Sequence, residues 1–126
     1  MISTVLLALM ALQGAEARPM IECSEHMMND RALRGCLEDL LDIAEDALEE
    51  AEAEARAEAA DIDLDMAGIA HAAERLERAQ TAWIAYRDAE CARRAALLLI
   101  GADAQAVSMD CRISLTRDRT RELIEQ

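Results

Sequence analysis

The chain has 126 residues, with 26 acidic and 13 basic side chains, a formal net charge of −13, four glycines and one proline. This length is that of one small domain, and a composition poor in helix breakers predicts an all-α fold. The acidic balance excludes nucleic acid as a partner, because phosphate contacts need a basic surface.

The first residues predict a cleaved signal peptide. The apolar run Val5–Leu12 is too short to span a bilayer as a helix, and Ala15-Glu16-Ala17 has the small residues of a signal-peptidase site. We expect cleavage after Ala17, which leaves residues 18–126 as one exported domain with no membrane anchor. The expected location is the periplasm or the exterior of a bacterial cell, where disulfides form.

The first long helix is predicted from a stripe of leucine and alanine at intervals of three and four. The stripe consists of Leu33, Leu37, Leu40, Leu41, Ala44, Ala47, Leu48, Ala51, Ala55 and Ala59. Its opposite face is acidic, since residues 38–65 hold thirteen acidic residues and one arginine. A solvated helix face is the simpler interpretation, and a docking surface for a basic protein is the alternative. The candidate docking residues are Glu45, Asp46, Glu49, Glu50 and Glu52.

Two more helices are predicted after this one. Carboxylates of the segment Asp61–Asp65 offer an N-cap for the second helix. Its apolar stripe extends to Leu98, and Gly101 is the residue that we expect to terminate the helix. Its inner face is predicted from Met66, Ile69, Ala73, Leu76, Gln80, Trp83, Ile84, Arg87, Cys91, Ala95 and Leu98. The third helix is predicted from about Gln105 to Leu123, with Cys111, Leu115, Arg119 and Leu123 along one side.

Four cysteines supply two disulfides to a chain whose predicted core is thin. Cys91 and Cys111 each lie ten residues from Gly101, and residues equidistant from the turn of an antiparallel hairpin lie opposite one another. This spacing favours a Cys91–Cys111 bridge, which leaves Cys23 and Cys36 to tie the N-terminal segment to the first helix. Four cysteines permit three connectivities, and the sequence leaves the other two open.

The only tryptophan and the only tyrosine lie close together in a chain without phenylalanine. Gln80, Trp83 and Arg87 share one helix face, and the Arg87 guanidinium can lie against the indole. Asp88 is rotated by about 100° from Arg87, and Arg119 of the third helix is its expected partner. We interpret these residues as a polar-aromatic cluster that fixes the register of the second and third helices, in preference to a binding surface.

The same residues resemble a known family. The pattern L-x-x-A-Q-x-x-W-I-x-Y-R-D-x-x-C from Leu76 to Cys91, followed by C-x-x-x-L-T-x-x-R-x-x-x-L from Cys111 to Leu123, resembles the signature of the lysozyme inhibitor LprI-like domain. The polar and aromatic motif positions are Gln80, Trp83, Tyr86, Arg87, Asp88, Thr116 and Arg119. The resemblance implies a small exported helical protein with disulfides, in a family in which some members inhibit lysozymes.

Two binding functions follow from these features. The leading hypothesis is a non-enzymatic inhibitor that occludes a lysozyme-type muramidase, with the acidic helix attracting the basic enzyme. The second is a structural or interaction protein of the envelope with another partner. Both hypotheses are compatible with a monomer or a dimer. The alanine face of the first helix is covered either by the rest of the same chain or by a second copy.

Metal binding near the N-terminus is a third and weaker hypothesis. His26 lies near Cys23 and three methionines, Met20, Met27 and Met28, a set of ligands that suggests copper. A disulfide would consume the thiol, so we predict no metal and no cofactor. No Ser-His-Asp arrangement, zinc-like cysteine spacing or Gly-rich phosphate loop occurs in the sequence, and we predict no catalysis.

Overall fold

A computed structural model describes residues 18–98 and 103–125. Within them every regular element is helical: α1 (Pro19–Glu22), a 3₁₀ turn (Ser24–His26), α2 (Asp30–Asp65), α3 (Ala72–Ala96) and α4 (Ala104–Ile124). The all-α prediction is confirmed. The predicted signal peptide, residues 1–17, and the predicted helix end at Gly101 lie outside the described residues. No helix in the described ranges is long and apolar enough to cross a membrane.

The longest helix, α2, has 36 residues and is about 54 Å long at 1.5 Å per residue. Asn29 caps its start, since the side-chain oxygen accepts a hydrogen bond from the Ala32 amide at 3.1 Å. The buried residues of α2 are Leu33, Leu37, Ala44, Leu48, Ala51, Ala55 and Ala59, all of them in the predicted stripe. Leu40 and Leu41 are half-buried. Ala47 is exposed, because it lies roughly 80° from the centre of the stripe at 100° per residue.

The second predicted helix begins later than the sequence indicates. α2 continues through Asp61–Asp65, the segment predicted to precede the next helix, and α3 begins only at Ala72. Met66 and Ile69, which the sequence assigns to the inner face of that helix, lie in the turn and are exposed. The chain reverses direction near Gly68, whose φ of 76° is a left-handed conformation that glycine adopts without steric cost.

A carboxylate of the predicted capping segment does cap α3, but from across the turn. The two side-chain oxygens of Asp63 accept hydrogen bonds from the amides of Ala72 at 2.7 Å and Ala73 at 3.0 Å. The amides of Ala73 and Ala72 hold the pKa of Asp63 below its usual value, because they stabilise the charged carboxylate. His71, directly before α3, has a φ of 50°, so Asp63 stabilises a turn that the local backbone disfavours.

The last helix, α4, packs against both α2 and α3. Asp103 caps it by accepting hydrogen bonds from the amides of Gln105 at 3.0 Å and Ala106 at 3.2 Å. Its buried residues are Ala106, Met109, Cys111, Ile113, Thr116 and Leu123. By contrast, α3 buries only Gln80, Arg87 and Cys91. The predicted inner face of α3 is therefore too wide, and Ala73 and Ile84 are exposed, because α3 contacts its neighbours along one narrow line.

The core has two parts, and both are small. One part surrounds the N-terminal disulfide and consists of Cys23, Leu33, Leu37, Ala44, Ala106, Met109 and Ile113. The other consists of Leu48, Ala51, Ala55 and Leu123, with Leu76 and Trp83 half-buried against it. Alanine buries little apolar area per residue, so the second part depends on other interactions for its stability.

The disulfides supply part of that stability. Cys23 is bonded to Cys36, with 5.9 Å between the Cα atoms, and Cys91 is bonded to Cys111, with 5.4 Å between the Cα atoms. This is the connectivity that the spacing favours. One bridge ties the N-terminal segment to α2, and the other sets the register of α3 against α4.

Candidate functional site

The polar-aromatic cluster lies where the three long helices meet, and Gln80 of α3 is at its centre. Gln80 is 4% exposed. Its side-chain nitrogen donates a hydrogen bond to Glu52 of α2, and its side-chain oxygen accepts one from Nε of Arg119 of α4 at 2.6 Å. One amide therefore connects a carboxylate on one helix with a guanidinium on another.

A second connection runs through Arg87, which is 8% exposed. Its guanidinium carbon lies 5.2 Å from the centroid of the Trp83 ring, as the helical spacing predicts. Its Nη1 donates to the hydroxyl of Thr116 at 3.4 Å, and its Nε donates to Asp88 at 3.0 Å. Glu45 of α2 lies 3.9 Å from the same guanidinium, so this arginine also contacts all three helices.

The predicted ion pair between Asp88 and Arg119 is wrong. Asp88 faces Arg112 instead, with 3.8 Å between its Oδ1 and Nη2, while Arg119 donates to Gln80. The disulfide between α3 and α4 explains this register. Arg119 lies eight residues after the bridge on α4, so in an antiparallel pair it faces a position about eight residues before the bridge on α3, near Trp83.

These contacts support a structural role for the motif residues. Gln80, Arg87 and Thr116 are buried and hydrogen-bonded to other helices, an arrangement that specifies one packing of a small core. Tyr86 differs, because it is 56% exposed on the outer side of α3. Glu45, Glu52 and Arg112 also belong to the cluster, through contacts with Arg87, Gln80 and Asp88 that the sequence pattern does not indicate.

The acidic face of α2 divides into two sets of carboxylates. Glu52, with a side chain 17% exposed, and Glu45, with a side chain 45% exposed, face α3 and pair with arginine side chains. They lie on the flank of α2 and not on its outer side, so they are less available to a partner. The remaining three candidates, Asp46, Glu49 and Glu50, are exposed.

The outer side of α2 carries a continuous row of exposed carboxylates. We call Asp39, Asp42, Asp46, Glu49 and Glu50 the outer acidic face. None of them forms an ion pair with another residue of the described ranges. Between residues 38 and 65, eleven of the thirteen acidic residues are exposed, so most of the net charge of the domain is on one side of one helix.

The α2–α3 hairpin extends beyond the end of α4. Leu123, in the last turn of α4, packs with Ala55 of α2 and Leu76 of α3. α2 continues for ten residues after Ala55, about 15 Å at 1.5 Å per residue. We call residues 61–71 the hairpin tip. A groove of about 380 Å³ lies at the base of this extension, and its lining includes Ala59, Ile62 and Leu123.

The hairpin tip exposes large apolar side chains. Ile62 is 40% exposed, Leu64 79%, Met66 48% and Ile69 71%. Exposed carboxylates of Asp61 and Asp65 lie among them. The sequence assigns Met66 and Ile69 to the buried face of a helix, so this surface is not predictable from hydrophobic periodicity.

In the structure, the thiol of Cys23 is not available as a ligand for the copper site considered near the N-terminus. The sulfur of Cys23 is bonded to Cys36, and His26 lies 3.4 Å from Glu25. In residues 18–98 and 103–125, no group of three His, Cys, Asp or Glu side chains is placed to hold a metal ion. The other histidine, His71, is exposed in the turn directly before α3.

Comparison with known proteins identifies a family to which the chain is similar. A family model described as lysozyme inhibitor LprI matches residues 23–123, which include all four cysteines and the whole polar-aromatic cluster. An uncharacterized protein of Rhizobium meliloti (strain 1021) is 44% identical over 71 residues, which are 52% of this chain and 45% of that protein. The match thus spans about half the length of that relative. No solved structure matches the chain.

Proposed function

Because the chain belongs to the lysozyme inhibitor LprI family, we propose that it binds a basic muramidase outside the cytoplasm and inhibits it by occlusion. Two disulfides support this location, since such bonds persist in oxidising compartments. Residues 1–17 supply the export signal in this proposal. The inhibitor acts by binding alone and contributes no catalytic group.

The outer acidic face is the observation that supports a basic partner. Its five carboxylates run along α2 from Asp39 to Glu50, over about 17 Å at 1.5 Å per residue. Charge of one sign over such a length attracts an oppositely charged protein before contact and raises association rates by roughly 10-fold to 1,000-fold. The effect weakens with salt, because the Debye length is only about 8 Å at physiological ionic strength.

The proposal is tested by measuring association rates for oxidised residues 18–126 with lysozymes of the c, g and i types. The variant Asp46→Asn/Glu49→Gln/Glu50→Gln removes three charges from the outer acidic face. We expect it to lower the association rate constant for the bound class by about tenfold at low salt and to flatten the salt dependence. The dissociation rate constant should change less, because long-range attraction acts before contact and affects mainly the association rate.

A matched control removes the same number of charges elsewhere. Glu25→Gln/Glu74→Gln/Glu125→Gln changes the net charge equally, at exposed positions outside α2. We expect it to lower the association rate constant by less than threefold, because steering depends on where the charges lie. Equal losses in the two variants would contradict a role for α2. Failure of all three lysozyme types to bind would contradict the proposed function and favour another envelope protein as the partner.

A further inference from the structure

We infer that the hairpin tip, residues 61–71, is the part of the molecule that enters the substrate cleft of the muramidase. The inference rests on the proposed function and assigns the occluding surface to the turn between α2 and α3. In this arrangement the outer acidic face attracts the muramidase, and the hairpin tip makes the contact that blocks the cleft.

The shape of the molecule favours this assignment. A cleft that binds a polysaccharide chain is concave and is closed by a narrow projecting surface. The hairpin tip projects, because α2 continues ten residues past the level at which Leu123 of α4 packs on Ala55. The groove of about 380 Å³ at its base, between the hairpin and the end of α4, leaves room for side chains from the edge of a cleft. The sides of α2, α3 and α4 offer no comparable projection within the described residues.

The exposed apolar side chains favour the same surface. Of twelve large apolar residues that are exposed in the described chain, four lie within the eight positions from Ile62 to Ile69. Three of the others, Ile21, Met27 and Met28, lie in the N-terminal segment, and the remaining five are at separate positions: Ile43 on α2, Ile84 and Tyr86 on α3, Leu97 just after α3, and Ile124 on α4. A concentration of exposed apolar groups marks an interaction surface, and burial of such groups supplies most of the affinity at an interface.

The hairpin tip is held in one conformation before any partner binds. Its backbone amides are bonded within the turn, from Met66 to Ile62 at 2.9 Å and from Ile69 to Met66 at 3.1 Å. Asp63 joins the last turn of α2 to the first amides of α3. A turn that is already ordered loses little conformational entropy on binding, so more of the contact energy appears as affinity.

Charge complementarity identifies the occupant as a basic protein. Asp61 and Asp65 are exposed beside the apolar residues of the hairpin tip. They continue the acidic character of α2 to its end, since residues 61–71 contain three aspartates and no lysine or arginine. A cleft with a basic rim therefore fits this surface, whereas an acidic protein or an anionic membrane would be repelled.

The test compares two triple-serine variants as inhibitors of a lysozyme that the wild-type protein inhibits. Leu64→Ser/Met66→Ser/Ile69→Ser removes the apolar groups of the hairpin tip. The control Ile43→Ser/Ile84→Ser/Leu97→Ser removes exposed apolar groups from the rest of the surface. We expect the tip variant to raise the inhibition constant at least tenfold at both low and high salt, and the control to change it less than twofold.

Inhibition kinetics with a soluble N-acetylglucosamine oligomer supply the second readout. A tip in the cleft raises the KM of the lysozyme and leaves kcat unchanged. Equal inhibition by wild type and tip variant, or inhibition that lowers kcat without raising KM, would overturn the inference and leave the proposed function intact. If wild-type protein inhibits no lysozyme, the proposed function fails, and the inference fails with it. All six replaced side chains are exposed, so we expect both variants to keep the fold. Melting curves of the two variants check this.

Discussion

Replacing Gln80 by alanine should destabilise the fold strongly, because this side chain joins all three long helices. Gln80 is 4% exposed, donates to Glu52 and accepts from Arg119. The substitution removes two hydrogen bonds to charged groups, each worth roughly 1.5–3 kcal/mol. Glu52 keeps its pairing with Arg56, and Arg119 keeps its bond to Glu122, so the lower value applies. We expect the free energy of unfolding to fall by about 3 kcal/mol.

The assay is urea unfolding of the oxidised protein followed by circular dichroism. Thr81→Ala is the control, because the Thr81 hydroxyl bonds only to a carbonyl of its own helix at 2.9 Å. Its unfolding free energy should change by less than about 0.5 kcal/mol. A loss below about 1 kcal/mol for Gln80→Ala would refute the reasoning, since it would mean that water replaces both bonds without cost.

A double-mutant cycle isolates the contact between α3 and α4. Gln80→Ala and Arg119→Ala remove the two ends of one hydrogen bond of 2.6 Å. The double variant should be more stable than additivity predicts, by about 1–2 kcal/mol, because the bond is lost only once. Strictly additive effects would show that the two side chains stabilise the fold independently.

Three further changes test the architecture. Cys91→Ser/Cys111→Ser opens a bridge with a sequence separation of 20 and should lower the unfolding free energy by about 3 kcal/mol, and an unchanged melting temperature would contradict the role of the bridge. Gly68→Ala places a Cβ at a residue whose φ is 76°, with no atom within 4 Å of it. Backbone strain alone should therefore lower the free energy of unfolding by about 1 kcal/mol. An unchanged free energy in urea unfolding would argue against this turn. The pKa of Asp63 is held below its ordinary value of 3.8 by the Ala73 and Ala72 amides, so its stabilising effect is complete above that value and is lost as pH falls through the lower folded pKa. The stability difference between wild type and Asp63→Ala should therefore shrink from about pH 6 to about pH 2, and a constant difference would mean that the carboxylate does not cap α3.

Regular local patterns made most of the fold predictable. The leucine and alanine stripe marks the buried side of α2, and the observed α4 begins and ends within one residue of its predicted range. The distances of Cys91 and Cys111 from Gly101 favour the bridge that the structure contains. Each of these inferences uses only helical periodicity or the symmetry of a hairpin, both of which the chain keeps over many residues.

The errors have a common physical cause, which is interaction between distant segments. A carboxylate in the segment Asp61–Asp65 suits an N-cap locally, but Asp63 reaches an amide nine residues away while its own backbone stays helical. The predicted Asp88–Arg119 pair is wrong because opposite charge alone does not determine which side chains meet. The register set by the disulfide places Arg112 opposite Asp88 and Arg119 opposite Gln80.

The carboxylates on the flank of α2 show the same effect. Glu45 and Glu52 lie between the buried and outer faces, and only the position of α3 determines that their partners are Arg87 and Gln80. From periodicity alone they belong with Glu49 and its exposed neighbours. Of the five predicted docking residues, the structure leaves Asp46, Glu49 and Glu50 on the outer side of α2, unpaired with any other residue that it describes. The exposed apolar residues of the hairpin tip are a further surface feature, which no repeat in the sequence indicates.

The most direct measurement is lysis of a peptidoglycan suspension by c-type, g-type and i-type lysozymes, with and without oxidised residues 18–126. Salt is varied from about 20 mM to about 300 mM, across which the Debye length falls from roughly 20 Å to roughly 6 Å. We predict inhibition of at least one lysozyme type that is strongest at low salt. Unimpeded lysis by all three types at every salt concentration would contradict inhibition of a muramidase by this protein.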